Sequence, residues 1–539
     1  MGVTDGASLR TLPVSPRLYN DDIKPVTNQN WSMYNLFAMW MSNVHSVAGY
    51  VFAAGLFTLG LTGWQVFSAL IVGVTLIYFF TNWTGSMGQR HGIAFAAACR
   101  PSFGVFGANI PSMIKATTAT VWYGIQMWVA SNALLVVGLK FFPSLESLTH
   151  ASFLGMSTLG WICFGIMWLA QILVFYYGWE AIRRFCDFAG PAIYVVMALL
   201  AVWIVMKAGG PGQITFNLSS EQLTGGAALH QWFLAVAFTL AWFAGTTLNF
   251  VDFGRLVESP RAMKVGNFLG LPINFALFAL AAVVTTSGGL QVFGELITDP
   301  VFLVARIDSV TAAMLGALTF MTATIATNIV ANFVSAAMDL ANLVPHHLSF
   351  RRAVLVASVI AILVMPWKLY ANAAMVQYTL GTLGAFIGPI FGIVMIDYYV
   401  MRRRRISLRH LYTADPAGAY HYRGGFNPRA IGALVGAGVV SNLVAHVPAL
   451  HALAPFSWGV GAVTGAALYY LLMRNAIRAT MVDDDRPVED GPAGPDGPRD
   501  PGEPAAGDIA TPGSTADATD ATDATDATDA TGATTRGAP

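Results

Sequence analysis

Two residues one helical turn apart raise the first chemical question. Trp122 and Gln126 lie in "VWYGIQMW" (121–128). Residues four apart share one face of any helix that carries them. An indole offers a broad rigid surface, and a carboxamide offers one acceptor and two donors. Together they suit a flat, neutral, polar ring, one group stacking on its face while the other reads its edge. Such stacking is worth about 1–3 kcal/mol, and a site built on hydrogen bonds rejects analogues that lack them. The alternative is a packed glutamine bridging two helices beside a core tryptophan. A second polar seam runs through "TATIATNIVANFVSAAMDLANLVP" (322–345), where Thr324, Thr327, Asn328, Asn332 and Ser335 recur at helical spacing. Asn328 and Asn332 share a face and serve either as ligand contacts or as interhelical glue.

The medium around these residues decides how much they mean. The 539-residue chain is 55% hydrophobic, 12% aromatic and only 11% charged, against roughly 25% charged in soluble domains. A formal net charge of zero gives no bulk argument for nucleic acid as a partner. The three cysteines, Cys99, Cys163 and Cys186, are too scattered for a metal site or a disulfide framework. Residues 1–32 lack the basic start and apolar core of a cleavable signal peptide. Apolar runs of membrane-spanning length recur near 35–62, 64–84, 104–138, 152–177, 188–207, 230–253, 266–290, 309–338, 353–370, 374–400, 428–447 and 456–473. The chain reads as an all-α polytopic membrane protein of about twelve helices, with the lipid bilayer as its solvent.

Basic residues alternate between the connections. Arg90, Arg100, Arg183, Arg184, Arg255, Arg261, Lys264, Arg351, Arg352 and "RRRR" (402–405) all fall on one side, while the opposite loops are nearly bare. The positive-inside rule then places both termini in the cytoplasm of a cell (plasma or inner) membrane. Residues 481–539, which contain "DATDAT" repeats, cannot bury a core and read as a disordered acidic tail.

Two spans are poorly made for lipid. "MSNVHSVAGY" (41–50) in span 1 and "FAGTTLNFVDFG" (243–254) in span 6 put small and hydrogen-bonding residues at membrane depth. They occupy matching positions in two five-span halves. Paired interruptions of this kind point to a transporter binding site and predict unwound backbone at both places. The expected organisation is a cytoplasmic segment 1–32, a first repeat 33–207, an inverted second repeat 208–400, two further helices within 401–480 and the tail 481–539.

The segments "RPSFGVFGANIPS", "VWYGIQMW", "LNFVDFGRL", "ATNIVANFVSAAMDLANLVP", "MPWKLY" and "GPIFGIVMIDYYVMRRRR", in this order, resemble the nucleobase–cation symporter (NCS1) family of hydantoin, allantoin, uracil and cytosine carriers. The resemblance covers about residues 25 to 475 and implies a LeuT-like fold of two inverted five-helix repeats plus two helices. It implies that Trp122 stacks on the substrate, that Gln126 and Asn332 bond its polar edge, and that Ser46 lies nearby. A span-6 tryptophan covers the other ring face in the family; here that place falls on Phe243, with Trp242 one residue earlier. In sodium-coupled relatives the ion lies between spans 1 and 8. The matching positions are Ser42 and His45, the carbonyl of Ala323, and the pair Ala326–Thr327, of which only Thr327 keeps a hydroxyl. The missing oxygen tilts the expectation from Na+ toward H+, with His45 at the break in span 1 able to titrate near neutral pH.

The resulting expectation is a secondary transporter importing a planar nitrogen heterocycle with a cation, by alternating access of spans 1, 2, 6 and 7 against 3, 4, 8 and 9. It is expected to be a monomer without cofactors. An amino-acid carrier of the same fold would need to recognise a charged amine and carboxylate. An intramembrane enzyme would need a metal-ligand or nucleophile–base constellation that Asp252, Asp339 and Asp397 at span ends and His45 alone in its span do not supply.

Overall fold

A computed structural model of the chain describes residues 14–215, 218, 222–297, 300–369 and 373–476. The expected disordered tail, 481–539, and residues 1–13 lie outside the described residues. Among those described, ten helices are long and apolar enough to cross a bilayer. The other two expected spans are short for identifiable reasons. Span 1 is split into Met33–Val44 and Val47–Leu56, and span 9 is Phe350–Leu363, followed after a turn by Pro366–Leu369. The rest are span 2 (Gly63–His91), span 3 (Asn109–Phe141), span 4 (Thr158–Tyr176), span 5 (Trp179–Lys207), span 6 (Gly225–Gly254), span 7 (Pro260–Phe293), span 8 (Val310–Leu343), span 10 (Ala373–Met395, continued by Ile396–Met401), span 11 (Pro428–His446) and span 12 (Ser457–Met473). Several boundaries move from their expected places; span 2 runs on to His91 and span 7 starts at Pro260. Span 4 starts later because Ser152–Phe153 pairs with Met156–Ser157 in a two-stranded hairpin. Span 5 starts earlier, at Trp179, taking in Arg183 and Arg184.

The break in span 1 follows from its sequence. His45 leaves the helical region at φ −87°, ψ 47°. Ser46 is extended and caps the next helix, its Oγ accepting from the Gly49 N–H at 3.0 Å. A serine cap satisfies one of the orphan donors that any new helix start creates. Span 6, by contrast, is not unwound, which corrects the expectation of paired breaks. Its polar residues satisfy themselves without opening the backbone: Thr247 Oγ1 donates to the Phe243 carbonyl and Asn249 Nδ2 to the Ala331 carbonyl of span 8. Spans 7 and 8 each contain a π-helical turn, Leu269–Ile273 and Ile329–Phe333. The first includes Pro272, which has no N–H to give a regular ladder.

Large apolar side chains such as Leu199, Leu363 and Val463 are more than half exposed, as lipid-facing positions should be. The helix contacts rest on small residues, which let backbones approach closely where lipid supplies no hydrophobic drive. At the span 2–span 6 seam, a Cβ on Gly88 would run into the Val251 carbonyl, and one on Gly254 would sit 2.8 Å from the Gly85 carbonyl. Gly388 and Gly392 of span 10 face the Trp458 and Ala462 carbonyls of span 12 in the same way.

Candidate substrate and ion site

A cavity of about 500 Å³ lies among spans 1, 3, 6 and 8 and runs to spans 10 and 11 and to Pro455, between spans 11 and 12. Ser46, Trp122, Gln126, Trp242, Phe243 and Asn332 all line it. Helical spacing brings Trp122 and Gln126 to one wall. The break in span 1 brings Ser46 there, and the π-turn of span 8 contains Asn332. Trp122 and Trp242 meet edge to face, with ring centroids 5.7 Å apart at 74°. Trp242 is stacked on Phe52 at 4.7 Å and 19°, so one of its faces is already covered. Phe243 is buried and meets Phe275 edge-on at 5.6 Å.

The amides differ in how far the protein satisfies them. Asn328 is fully committed to structure: its Nδ2 donates to Gln171 Oε1 at 2.8 Å and to the Tyr123 carbonyl at 3.0 Å. Its Oδ1 accepts from Asn332 Nδ2 at 2.9 Å, leaving the Asn332 Oδ1 as an acceptor in the cavity wall. Gln126 Oε1 is buried with no donor among the described residues. A buried unsatisfied carbonyl costs about 1–3 kcal/mol, which a donor on a ligand would recover.

The expected ion positions divide. Thr327 Oγ1 donates to the Ser42 carbonyl at 2.7 Å, joining span 8 directly to the residues before the break in span 1. Ser42 Oγ donates to the Cys186 carbonyl at 3.2 Å. Ala323 and Ala326 are buried in span 8. His45 is buried, its Nδ1 2.7 Å from the Tyr50 hydroxyl. His45 does not line the cavity, whereas Thr327 does.

Several residues went unread in the sequence. Asn43, Phe52 and Thr118 also line the cavity. Beyond it toward the ends of spans 6 and 8, Lys115 sits 3.1 Å from Asp252 and 3.2 Å from Asp339, each side chain 1% exposed. Lys115 also donates to Ser335 Oγ at 2.7 Å and lies 4.1 Å from the centre of the Phe95 ring. A lone lysine in an apolar run was the available signal, since intramembrane charges are costly unless paired. Nearby, Arg100 of the short helix Phe95–Phe103 donates to the Leu18 and Leu411 carbonyls and to Asn342 Oδ1. Burial pulls its guanidinium down to about 10, which leaves it charged at neutral pH.

Comparison with known proteins places this architecture. A family model for permeases of cytosine/purines, uracil, thiamine and allantoin matches residues 23–472. The allantoin permease of Bacillus subtilis is 35% identical over 470 residues, covering 85% of this chain and 94% of that one. The purine-uracil permease of Arabidopsis thaliana is 31% identical, covering 84% and 76%. Among solved structures, Mhp1, a nucleobase-cation-symport-1 family transporter in a closed conformation with bromovinylhydantoin bound, superposes with a TM-score of 0.68 at 24% identity, covering 85% of this chain and 95% of that one. A Na+-coupled sialic acid symporter shares the same LeuT-like fold at a TM-score of 0.57 and 12% identity. The polytopic helical fold, the match along nearly the whole membrane region and the relatives' common activity agree: the chain belongs to the permease family for cytosine/purines, uracil, thiamine and allantoin, and it is a membrane transporter of the nucleobase–cation symport type rather than an enzyme.

Proposed function

We propose that the chain takes up a neutral planar heterocycle through the Trp122–Gln126–Asn332 site, with allantoin as the first substrate to test. The observation that carries this is the pair of amide side chains lining the cavity: Gln126, whose Oε1 has no donor among the described residues, and Asn332, whose Nδ2 is held by Asn328 Oδ1 so that its own oxygen is left to accept. They call for a ligand edge rich in N–H groups. Trp122 supplies the stacking surface. Trp242 closes the aromatic wall beside it while resting on Phe52, and Phe243, also in the lining, is held edge-on against Phe275. Ser46 leaves its hydroxyl proton for the ligand, because its oxygen already accepts the Gly49 N–H. Among the described residues no Asp, Glu, Lys or Arg lines the cavity, which argues against an amino-acid substrate. Allantoin comes first because the 35%-identical relative is named for it. The cavity also exceeds a bare ring and leaves room for a side group.

The coupled ion is read as a proton. Ala326 supplies no oxygen, which leaves Thr327, whose proton goes to the Ser42 carbonyl, as the one side-chain hydroxyl of the expected pair. The Ser42, His45 and Ala323 backbone would then be a remnant of a sodium position. The alternating-access motion expected from the family, and both termini in the cytoplasm, complete the reading. The deciding experiment is an uptake and binding panel of allantoin, uracil, hydantoin and cytosine with purified protein, run beside Gln126→Leu. The variant should fold and insert, yet lose affinity by roughly tenfold or more, because the ligand's N–H edge would be buried unpaired. Wild-type affinity in Gln126→Leu would overturn the site assignment.

A further inference from the structure

The π-turn of span 8, Ile329–Phe333, carries two cavity-lining residues, Ala331 and Asn332. A π-turn wedges one extra residue into a helix and disturbs the regular pairing of nearby carbonyls. The Ala331 carbonyl takes its hydrogen bond from outside the helix, from Asn249 Nδ2 of span 6. Asn249 is 2% exposed and does not line the cavity.

The direction of this bond is fixed by the carbonyl, which only accepts, and the chemistry further along agrees with it. A lysine ammonium only donates. Lys115 donates to Asp252 and to Ser335 Oγ and is ion-paired with Asp339. Ser335 therefore accepts from Lys115 and has one proton left to donate, which goes to Asn249 Oδ1 at 2.7 Å. With its oxygen so engaged, Asn249 must turn its NH2 toward Ala331. The Ala331 carbonyl, which only accepts, and the Ser335 hydroxyl, committed to Lys115, thus agree on one orientation of the Asn249 amide. The relay ends one residue before Asn332, whose own Nδ2 is held by Asn328 Oδ1 at 2.9 Å.

We infer that Asn249 is a positioning residue for substrate recognition: it pins the π-turn so that Asn332 presents its carbonyl oxygen to a ligand N–H. The inference rests on the site reading above, in which Asn332 touches the ligand and Asn249 does not. It also gives a role to Ser335, which keeps Asn249 in the required orientation.

The test is a double-mutant cycle on purified full-length protein, with allantoin Kd read from quenching of tryptophan emission; Trp122 and Trp242 line the cavity. Asn332→Ala and Asn249→Ala should each weaken binding by roughly tenfold. The double variant should be no weaker than Asn332→Ala alone, because a residue that acts through Asn332 has nothing left to position. Ser335→Ala should shift Kd the same way and serves in place of Asn249→Ala if that variant does not fold. Wild-type Kd in Asn249→Ala, or multiplied losses in the double variant, would overturn the inference while leaving the site intact. Unchanged Kd in Asn332→Ala, or no allantoin binding by the wild type, would instead remove the site reading and this inference with it.

Discussion

At the scale of single residues, the ion question turns on one missing oxygen. Sodium prefers several hard oxygen ligands, and an alanine at 326 cannot supply one. Wild-type uptake should therefore persist without sodium and collapse on adding a protonophore. Ala326→Ser restores a second hydroxyl beside Thr327, and sodium should then stimulate uptake several-fold in a proteoliposome assay with no pH gradient. Strict sodium dependence of the wild type would show that Thr327 and backbone carbonyls suffice. Residue identity was most legible where chemistry and spacing coincided. Trp122 and Gln126 announce a shared face by themselves, and they do meet at the cavity. Asn249 could not be found that way. Its importance depends on which neighbour takes its oxygen, and that neighbour is 86 residues away.

At the scale of elements, the sequence was ambiguous about span 6. Small and polar residues accompany both unwound backbone and close helix packing, and only the partners distinguish the two. In span 1 a serine was available to cap a restarted helix, and the chain breaks there. In span 6 the same kinds of residues bond to their own helix or to span 8, and the helix continues. Close packing at the span 2–span 6 seam is testable. Gly88→Ala places a methyl against the Val251 carbonyl, a backbone atom that cannot step aside. It should destabilise the protein by about 1–3 kcal/mol, seen as a lower Tm and a loss of monodisperse protein. Gly165→Ala in span 4 meets nothing within 4 Å and should be neutral or stabilising. Equal effects from the two changes would mean that the seam is not the tight contact described.

At the scale of the whole molecule, charge distribution proposes the orientation that helix geometry leaves open. The hydropathy runs were readable because a bilayer demands long apolar segments, and the arginines were readable because they cluster in alternate connections. The three native cysteines are buried, so a single cysteine placed after span 12 reports with little background. In intact cells it should resist an impermeant thiol reagent and label only after permeabilisation; labelling from outside would reverse the assigned topology.

Residues 15–31 are tied to segments made much later. Val26 N–H donates to the Gly92 carbonyl, Gln29 Nε2 to the Gln89 and Arg255 carbonyls, and Trp31 pairs with Leu256 and Glu258. Asp22 accepts from the Phe350 N–H, Ser15 N–H donates to the Tyr412 carbonyl, and the Tyr412 hydroxyl donates to the Ile23 carbonyl. In the order of synthesis, this early stretch acquires its last partners only after residue 412 has emerged. Nascent chains halted before the loop after span 10 should keep this segment open to protease. Protection should arrive abruptly once that loop is made, which makes the N-terminal segment a clock for completion of the fold.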